Sequence, residues 1–322
     1  MSKAFTSSPL RPALLFRDTR FRGHDTGDHA EHPTRYLAIE RELHQRDLLT
    51  NRVDVPFAPA PDEAILRVHT PTHLRFLEEA TAQGGGWIDS ETMIAPDSLE
   101  TARLAAGAAI AAVDAIHDDR ARRAIVLGRP PGHHATRNRA MGFCLLNTIA
   151  IAAAHARAQG IDRVAIIDWD VHHGNGTQDI FYGNGSVLYC SVHQAPLYPG
   201  TGNRNETGID EGEGTTINCP LPAGTGDSGW IDALEKRFAP QIEQFAPNLI
   251  LLSAGFDAHQ NDPLSDTRVT DTGFSTLASS LIDLANRTCD GRIIAVLEGG
   301  YDPPTLARNV ANLVEMLDHD AT

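Results

Sequence analysis

Short apolar runs rich in Val and Ile alternate along most of the chain with longer segments rich in Ala and Leu. The runs are too short for buried helices and have no polar face, which favours strands buried on both sides. Predicted strands cover residues 123–128, 163–168, 187–192, 248–254 and 292–297. Predicted helices cover residues 98–117, 145–159, 229–245, 272–286 and 304–317. Strands separated by helices of this length predict βαβ units in a mainly parallel sheet.

The chain has 322 residues, a length that favours two domains at about 150 residues per domain. It contains no repeat and no flexible linker. The stretches rich in Gly, Pro and Asn look like surface loops between sheet elements, at residues 84–86, 199–214 and 220–229. We therefore expect one α/β domain over residues 1–322 rather than two.

The charge balance narrows the class of partner. Forty-two acidic residues against 27 basic ones give a net charge of −15. This excludes nucleic acid as the expected partner, because contact with phosphates needs clustered Lys and Arg. The acidic excess is compatible with a cationic partner, although most acidic surfaces only keep a protein soluble.

The cysteines and the apolar segments indicate the expected cellular compartment of the protein. Four cysteines lie far apart without a CxxC pair, which predicts neither a disulfide framework nor a zinc ribbon. No stretch approaches the roughly 18 apolar residues of a membrane-spanning helix. We expect a soluble cytoplasmic protein with reduced thiols and no membrane partner.

Polar residues follow each of the five predicted strands. The segments are 129–135 (RPPGHHA), 168–176 (DWDVHHGNG), 191–194 (SVHQ), 255–259 (GFDAH) and 298–301 (EGGY). In an open parallel sheet, ligands bind beyond the carboxyl ends of the strands. The five segments are therefore expected to converge on one site, although any one of them alone could be an ordinary turn.

The segment after the second strand has the spacing of a metal site. Side chains of a strand alternate, so Asp168, Asp170 and His172 are expected on one side. An Asp-x-His pair with one distant carboxylate gives three ligands and an open position, as in catalytic zinc sites. Asp257 is the natural third ligand. The alternative is a group of Asp residues that cap helices or form salt bridges.

Two further segments contain candidates for proton transfer. His133 and His134 are adjacent and, beside a metal, could take and return protons at neutral pH. Tyr301 follows two glycines and could donate a hydrogen bond to an oxyanion. A structural or surface role for the histidines and a packing role for the tyrosine are the alternatives.

Seven motifs occur in order along the chain: RPPGHHA, GFCLLN, DWDVHHGNGTQ, SVHQ, YPGTG, GFDAH and LEGGYD. With them the sequence resembles the zinc-dependent histone deacetylase family. The similarity is to the branch of class II deacetylases and bacterial histone deacetylase-like amidohydrolases, related to acetylpolyamine amidohydrolases. It extends from about His24 to the C-terminus. It implies the arginase-deacetylase fold, in which a mainly parallel sheet of about eight strands has helices on both faces.

The resemblance also implies roles for individual residues. Asp170, His172 and Asp257 would hold one zinc ion. His133 and His134 would be the tandem catalytic histidines, with Asp168 orienting His133, and Tyr301 would polarise the carbonyl. The residues implied in substrate binding are Phe143, Tyr198, Gly142, Gly300, Leu264 and, at the rim, Asp97.

The family also implies a structural K⁺ or Na⁺ ion near the zinc, held largely by backbone carbonyls. The matching positions are Asp168, Asp170, His172, Ser191 and Val192, and part of a second shell matches at Phe181, Asn184 and Val187. Backbone ligands leave little side-chain signature, so this prediction depends on the resemblance.

Several positions depart from the family pattern or stay open. Asn175 stands where class I members have an Asp behind the second histidine, which should lower the basicity of His134. Tyr198 replaces the commoner Phe and would favour a polar or shorter acyl chain. Leu264 occupies the place of an acidic gatekeeper, which counts against that form of polyamine selection. For Asp97, a helix-capping role is an equal alternative to the rim.

The remaining histidines carry weaker predictions. His24, His29 and His32 could form a second metal site, but a loop at the tunnel rim is the better assignment. His69 and His73 are expected on a helix as surface or packing residues. His193 is expected beneath the site.

The expected function is hydrolysis of the acyl amide of an acyl-lysine or similar amine, which releases the amine and acetate. N-acetylated polyamines compete with acyl-lysine peptides as substrates. A two-manganese ureohydrolase and a catalytically silent acyl-lysine-binding protein are alternatives, and an oligomer is compatible with the sequence.

Overall fold

A seven-stranded parallel sheet forms the centre of the computed structural model, which describes residues 12–50, 52 and 54–319. The strand order is β1-β4-β9-β8-β5-β6-β7. Its strands are β1 (Leu14–Phe16), β4 (Arg123–Val126), β5 (Val164–Asp168), β6 (Val187–Gln194), β7 (Thr216–Leu221), β8 (Leu249–Ala254) and β9 (Ile293–Leu297). A small antiparallel hairpin, β2 (Gly86–Trp87) with β3 (Met93–Ile94), lies outside this sheet.

Helices flank the sheet. They are α1 (Thr34–Gln45), α2 (Asp62–Ile65), α3 (Pro71–Ala82), α4 (Ser98–His117), α5 (Thr148–Ala158), α6 (Asn175–Phe181), α7 (Asp227–Asp232), α8 (Ala239–Phe245), α9 (Asp271–Cys289) and α10 (Pro303–Asp318). The long helices form two groups, α4 with α5, and α1 with α10 and α9. This is the predicted single-domain α/β architecture. The predicted extent of 1–322 includes residues 1–11 and 320–322, which lie outside the described residues.

The five predicted strands and five predicted helices are all present. Bounds differ by up to three residues: some runs include a cap or turn residue that the strand or helix leaves out, whereas β6, α9 and α10 extend beyond their predicted runs. The segment 229–245 is the exception, since α7 already begins at Asp227 and a π-helical turn, Ala233–Phe238, separates α7 from α8.

Two sheet strands were not predicted, and the expected number of about eight is corrected to seven within the described residues. β1 has only three residues, too few for a pattern. β7 is an edge strand that pairs with β6 alone and contains Pro220, which an edge position tolerates. The loop predicted at 220–229 is therefore wrong at its start, where Pro220 and Leu221 belong to β7, and at its end, where α7 begins.

The burial of the central strands explains why their sequences are continuous apolar runs. All residues of β4, β5, β6, β8 and β9 are buried. All four cysteines are free and buried. Within the described residues, no helix is long and apolar enough to cross a membrane. Because the strands are parallel, the segments after β4, β5, β8 and β9 meet at one edge of the sheet.

Candidate active site

Two loops at this edge bring three potential metal ligands together. Asp170 and His172 follow β5, and Asp257 follows the neighbouring strand β8. Their ligand atoms lie within 4.8 Å of one another, and all three residues are buried. Among the described residues this is the one group of His, Cys, Asp or Glu side chains with such spacing.

The backbone around the three residues holds their side chains in place. Asp257 Oδ1 accepts the N–H of Val171 at 2.8 Å, and Asp170 Oδ2 accepts the N–H of Gly299 at 2.8 Å. His172 Nδ1 lies 3.0 Å from Asp257 Oδ2. A buried set of two carboxylates and one imidazole, with outer oxygens already bonded, is the donor chemistry that a catalytic zinc ion takes. These residues therefore fit the predicted ion.

The charges of this group act strongly on one another. Burial alone would lower the pKa of His172, but hydrogen bonds with Asp170 and Asp257 raise it to about 10. Burial, together with the charge of Asp170, raises the pKa of Asp257 to about 7. Two carboxylates so close together need a positive partner, which a cation or the protonated imidazole supplies.

The adjacent histidines lie beside this group and differ in their partners. His133 Nδ1 lies 3.0 Å from Asp168 Oδ2, whereas His134 Nδ1 lies 2.7 Å from the amide oxygen of Asn175. Burial would lower the pKa of His133, but Asp170 and Asp168 raise it well above its ordinary value. Burial and the charge of His133 hold the pKa of His134 well below its ordinary value. These shifts favour the charged form of His133 and the neutral form of His134.

Asp168 is held by more than His133. Its Oδ2 also accepts the hydroxyl of Tyr189 at 3.0 Å, and its Oδ1 accepts the N–H of Asp170 at 3.2 Å. Tyr189 was missed by the sequence analysis, because a tyrosine within an apolar strand looks like a core residue. Gly174 is required here, since a Cβ on it would lie 2.2 Å from Asp168 Oδ2.

Tyr301 reaches the site from the turn after β9. Burial raises its pKa well above the ordinary value, so the hydroxyl remains a donor. The Arg35 guanidinium lies 5.0 Å from the centroid of the Tyr301 ring, a cation–π arrangement. Arg35 also donates to the carbonyl oxygens of Glu298 and Gly300. Gly300 has φ +121°, and a Cβ there would lie 2.8 Å from Leu306 Cδ1.

A buried cluster of charged side chains supports the loop that carries His133 and His134 and the turn that carries Tyr301. Arg129, which precedes the histidine pair, donates to Glu31 at 2.7 Å, and Arg35 donates to the same carboxylate at 2.7 Å. Glu298 connects the two loops again, since its Oε2 accepts the N–H of Gly132 at 2.6 Å. No role for Glu31, Arg35 or Glu298 was predicted from the sequence, because their partners Arg129, Gly300 and Gly132 lie far away along the chain.

A cavity of about 430 Å³ opens above these groups. Its floor contains His134, His172 and Tyr301, and its walls contain Gly142, Phe143, Tyr198 and Leu264. The Tyr198 ring lies 5.1 Å from that of His134, and the Phe143 ring lies 5.6 Å from that of Tyr301, both edge to face. The mouth adds residues that were not predicted: Asp28, Ala30, Trp87, Ser90, Glu91 and Leu197.

Two predicted binding residues do not line this cavity. Asp97 is the residue before α4 and lines a separate depression with Arg20, Glu100 and Leu104. Its assignment to the rim is corrected, and its side chain makes no capping hydrogen bond either. Gly300 lies behind Tyr301, where it shapes the turn rather than the wall.

The predicted positions for a monovalent cation lie at neighbouring strand ends. Asp168 of β5 pairs with Ser191 of β6, and Val192 follows. The second set, Phe181, Asn184 and Val187, lies at the turn between α6 and β6. Donation by backbone carbonyls to K⁺ or Na⁺ at these positions stays a prediction.

The other histidines separate into different roles. His29 lines the mouth, His32 bonds with Thr34, and His24 is buried against Ser98 and Glu31, so the three do not form a metal site. His69 lies before α3 rather than on it, and it stacks on His73 with both side chains buried, which makes them packing residues. His193 is buried and bonds the Gly202 carbonyl.

Comparison with known proteins agrees with this geometry. Residues 29–317 match the model of the histone deacetylase domain. The chain belongs to the histone deacetylase family. A probable deacetylase of Archaeoglobus fulgidus is 40% identical over 290 residues, covering 89% of this chain and 80% of the relative. A histone deacetylase-like amidohydrolase of Pseudomonas aeruginosa is 41% identical over 276 residues, covering 85% of this chain and 72% of the relative.

The similarity extends to three dimensions. The crystal structure of an HDA15 HD domain superposes with a TM-score of 0.91 at 35% identity, covering 97% of this chain and 90% of that one. The predicted family and fold are therefore confirmed. The family is one of deacetylases and amidohydrolases, which places the chain among hydrolases of amide bonds.

Proposed function

We propose that the protein is a zinc-dependent amidohydrolase that removes acetyl or a related small acyl group from the side-chain amine of lysine or a similar amine. The observation that carries the proposal is the floor of the cavity. There His134, whose neutral form is favoured, lies beside the potential metal ligand His172 and the Tyr301 hydroxyl. A cavity with aromatic walls and a polar floor fits an apolar stem that ends in an amide.

The metal would be held by Asp170, His172 and Asp257. When bound, zinc would polarise the amide carbonyl and lower the pKa of a bound water.

The chain's own residues supply proton transfer and charge stabilisation. His134 donates through Nδ1–H to Asn175, which leaves Nε2 free to accept a proton from the attacking water and return it to the leaving amine. His133, charged by its contact with Asp168, stabilises negative charge without releasing its own proton. The Tyr301 hydroxyl donates to the oxyanion that forms from the substrate carbonyl.

Acyl-lysine is favoured over N-acetylpolyamine because Leu264 gives the wall an apolar side chain where a carboxylate would select a second amine. The presence of Tyr301 and of all three metal-binding residues favours an enzyme over a silent acyl-lysine-binding protein.

A turnover panel with metal analysis of the same sample tests the proposal. The substrates are an acetyl-lysine peptide, a trifluoroacetyl-lysine peptide, acetylputrescine and an aryl acetamide. We expect about one zinc per chain and the highest kcat/KM on the lysine peptides, and Tyr301→Phe should lower turnover by about 10²–10³ while zinc is kept. Zinc without turnover of any substrate would favour the binding protein, and full turnover by Tyr301→Phe would refute the mechanism.

A further inference from the structure

The peptide bond between Gly300 and Tyr301 is held from both sides by charged groups. Its carbonyl oxygen accepts a hydrogen bond from Arg35 Nε at 2.6 Å, and its N–H donates to Asp262 Oδ2 at 2.7 Å. The peptide unit is planar, so two partners on opposite edges fix the direction in which the plane faces. Hydrogen bonds to ionised groups are the stronger kind.

Asp262 uses its second oxygen on the wall of the cavity. Oδ1 accepts the N–H of Leu264 at 3.0 Å, and Leu264 lines the cavity opposite the floor residues. The side chain is buried, with 7% of the residue exposed. One carboxylate therefore connects the turn that carries Tyr301 to the segment that carries the wall.

The Tyr301 hydroxyl depends on this backbone. Within the described residues it makes no hydrogen bond, and its ring is in contact with Phe143 and Arg35. The position of the hydroxyl is then set by ring packing and by the orientation of the peptide plane. A shift of about 1 Å in a reacting group can cost about a hundredfold in rate.

We infer that Asp262 is a positioning residue for Tyr301. By holding the Gly300–Tyr301 peptide, it keeps the tyrosine hydroxyl at the position where the substrate oxyanion forms. The inference rests on the proposed function of Tyr301. It assigns to Asp262 a role in turnover that is exerted entirely through the tyrosine.

A double-mutant cycle between Asp262 and Tyr301 tests this. The probe is the trifluoroacetyl-lysine peptide, and the variants are Asp262→Ala, Tyr301→Phe and both together. We expect Asp262→Ala to lower kcat by about tenfold to a hundredfold in the parent protein. In the Tyr301→Phe background no hydroxyl remains to be positioned, so the same change should cost no more than about twofold.

Asp262→Asn and Asp302→Ala complete the design. Asparagine keeps the size and one acceptor oxygen, so it should cost less than alanine and should also lose its effect in the Tyr301→Phe background. It serves for the cycle if the alanine variant does not fold. The side chain of Asp302 caps the neighbouring helix α10 by accepting the Thr305 N–H, whereas the partners of the Gly300–Tyr301 peptide are Arg35 and Asp262. Its alanine variant perturbs the same segment and should keep the parent kcat.

A second measurement needs no turnover. Amide hydrogen exchange of residues 299–302 in the metal-free protein should speed up in Asp262→Ala and speed up less in Asp262→Asn, which keeps one acceptor oxygen. Unchanged exchange in Asp262→Ala would overturn the inference.

The outcomes separate the inference from the proposed function. Equal losses from Asp262→Ala in both backgrounds, or no loss at all, overturn the positioning role and leave the role of Tyr301 intact. Full turnover by Tyr301→Phe alone overturns the proposed role of the tyrosine, and the inference with it.

Discussion

His134 Nδ1 lies 2.7 Å from the amide oxygen of Asn175, whereas His133 Nδ1 lies 3.0 Å from the carboxylate oxygen Oδ2 of Asp168. An amide oxygen orients an imidazole and stabilises its positive charge less than a carboxylate does. The pair is thereby divided into a histidine whose charged form is favoured and one whose neutral form is favoured, and the second can act as a base.

Asn175→Asp should shift the pH dependence of turnover. A carboxylate beside His134 would raise its pKa, which burial and His133 now hold well below the ordinary value. A histidine acts as a base only in its neutral form. The acidic limb of the kcat/KM profile should therefore move to higher pH, by about one pH unit. Activity at low pH falls relative to activity at high pH.

Asn205→Asp is the matched control for this change, because it adds the same charge at an exposed position of another loop. Its profile should follow that of the parent. An Asn175→Asp profile that also follows the parent would argue against His134 as the base.

Removal of one metal ligand should abolish zinc binding. Asp257→Ala leaves Asp170 and His172 only, and we expect bound zinc to fall from about one per chain to near zero, with loss of turnover. His32→Ala removes a loop histidine whose ring bonds Thr34 and lies outside the metal-binding group, and it should keep the zinc. Metal analysis after dialysis decides the matter, and zinc retained by Asp257→Ala would contradict the assignment.

The sequence predicted the strands and their polar ends well because both signals are local. The apolar residues 164–167 identify β5, Asp168 ends the strand, and Asp170 and His172 follow in the next loop. Parallel pairing then brings the loop of β8, with Asp257, to the same edge. The resemblance to the deacetylases added the expected roles of Phe143 and Tyr198.

The supporting contacts could not be predicted, because they join residues that are distant in the chain. Arg35 bonds Gly300 across 265 positions, and Asp262 bonds Tyr301 across 39. Each residue by itself looks like an ordinary surface charge. Asp97 shows the opposite error, since a polar residue before a helix matched the rim pattern but faces another depression.

Gly142→Ala should disturb His134 directly. Gly142 has φ +56°, and a Cβ there would lie 2.4 Å from His134 Cδ2, on the ring that we assign as the base. We expect kcat to fall by about tenfold to a hundredfold. Gly200→Ala is the control, because Gly200 also has positive φ, +82°, but nothing lies within 4 Å of the added methyl. Equal kcat for the two variants would show that strain, rather than displacement of His134, matters.

His69→Gln should make folding stability less dependent on pH. His69 Nδ1 lies 2.9 Å from the Thr136 carbonyl oxygen and its Nε2 accepts the N–H of Asn147 at 2.9 Å, so only the neutral ring fits. Burial and the neighbouring His73 lower its pKa to about 3. The unfolded chain takes up the proton first, near its ordinary value of about 6.5. The contribution of His69 is therefore present above that pH and is lost as the pH falls towards 3.

Denaturant unfolding of the metal-free protein between pH 7 and pH 4 measures this. At pH 7 the free energy of unfolding should drop by about 1–3 kcal/mol in His69→Gln, because the amide oxygen can replace Nε2 as the acceptor for Asn147 but the buried Thr136 carbonyl then loses its donor. Below pH 6.5 the variant should then lose stability less steeply than the parent, by up to about 1.4 kcal/mol per pH unit, which corresponds to one proton. His44→Gln changes an exposed histidine and should reproduce the parent curve. Parallel curves for His69→Gln and the parent would mean that protonation of His69 does not oppose folding.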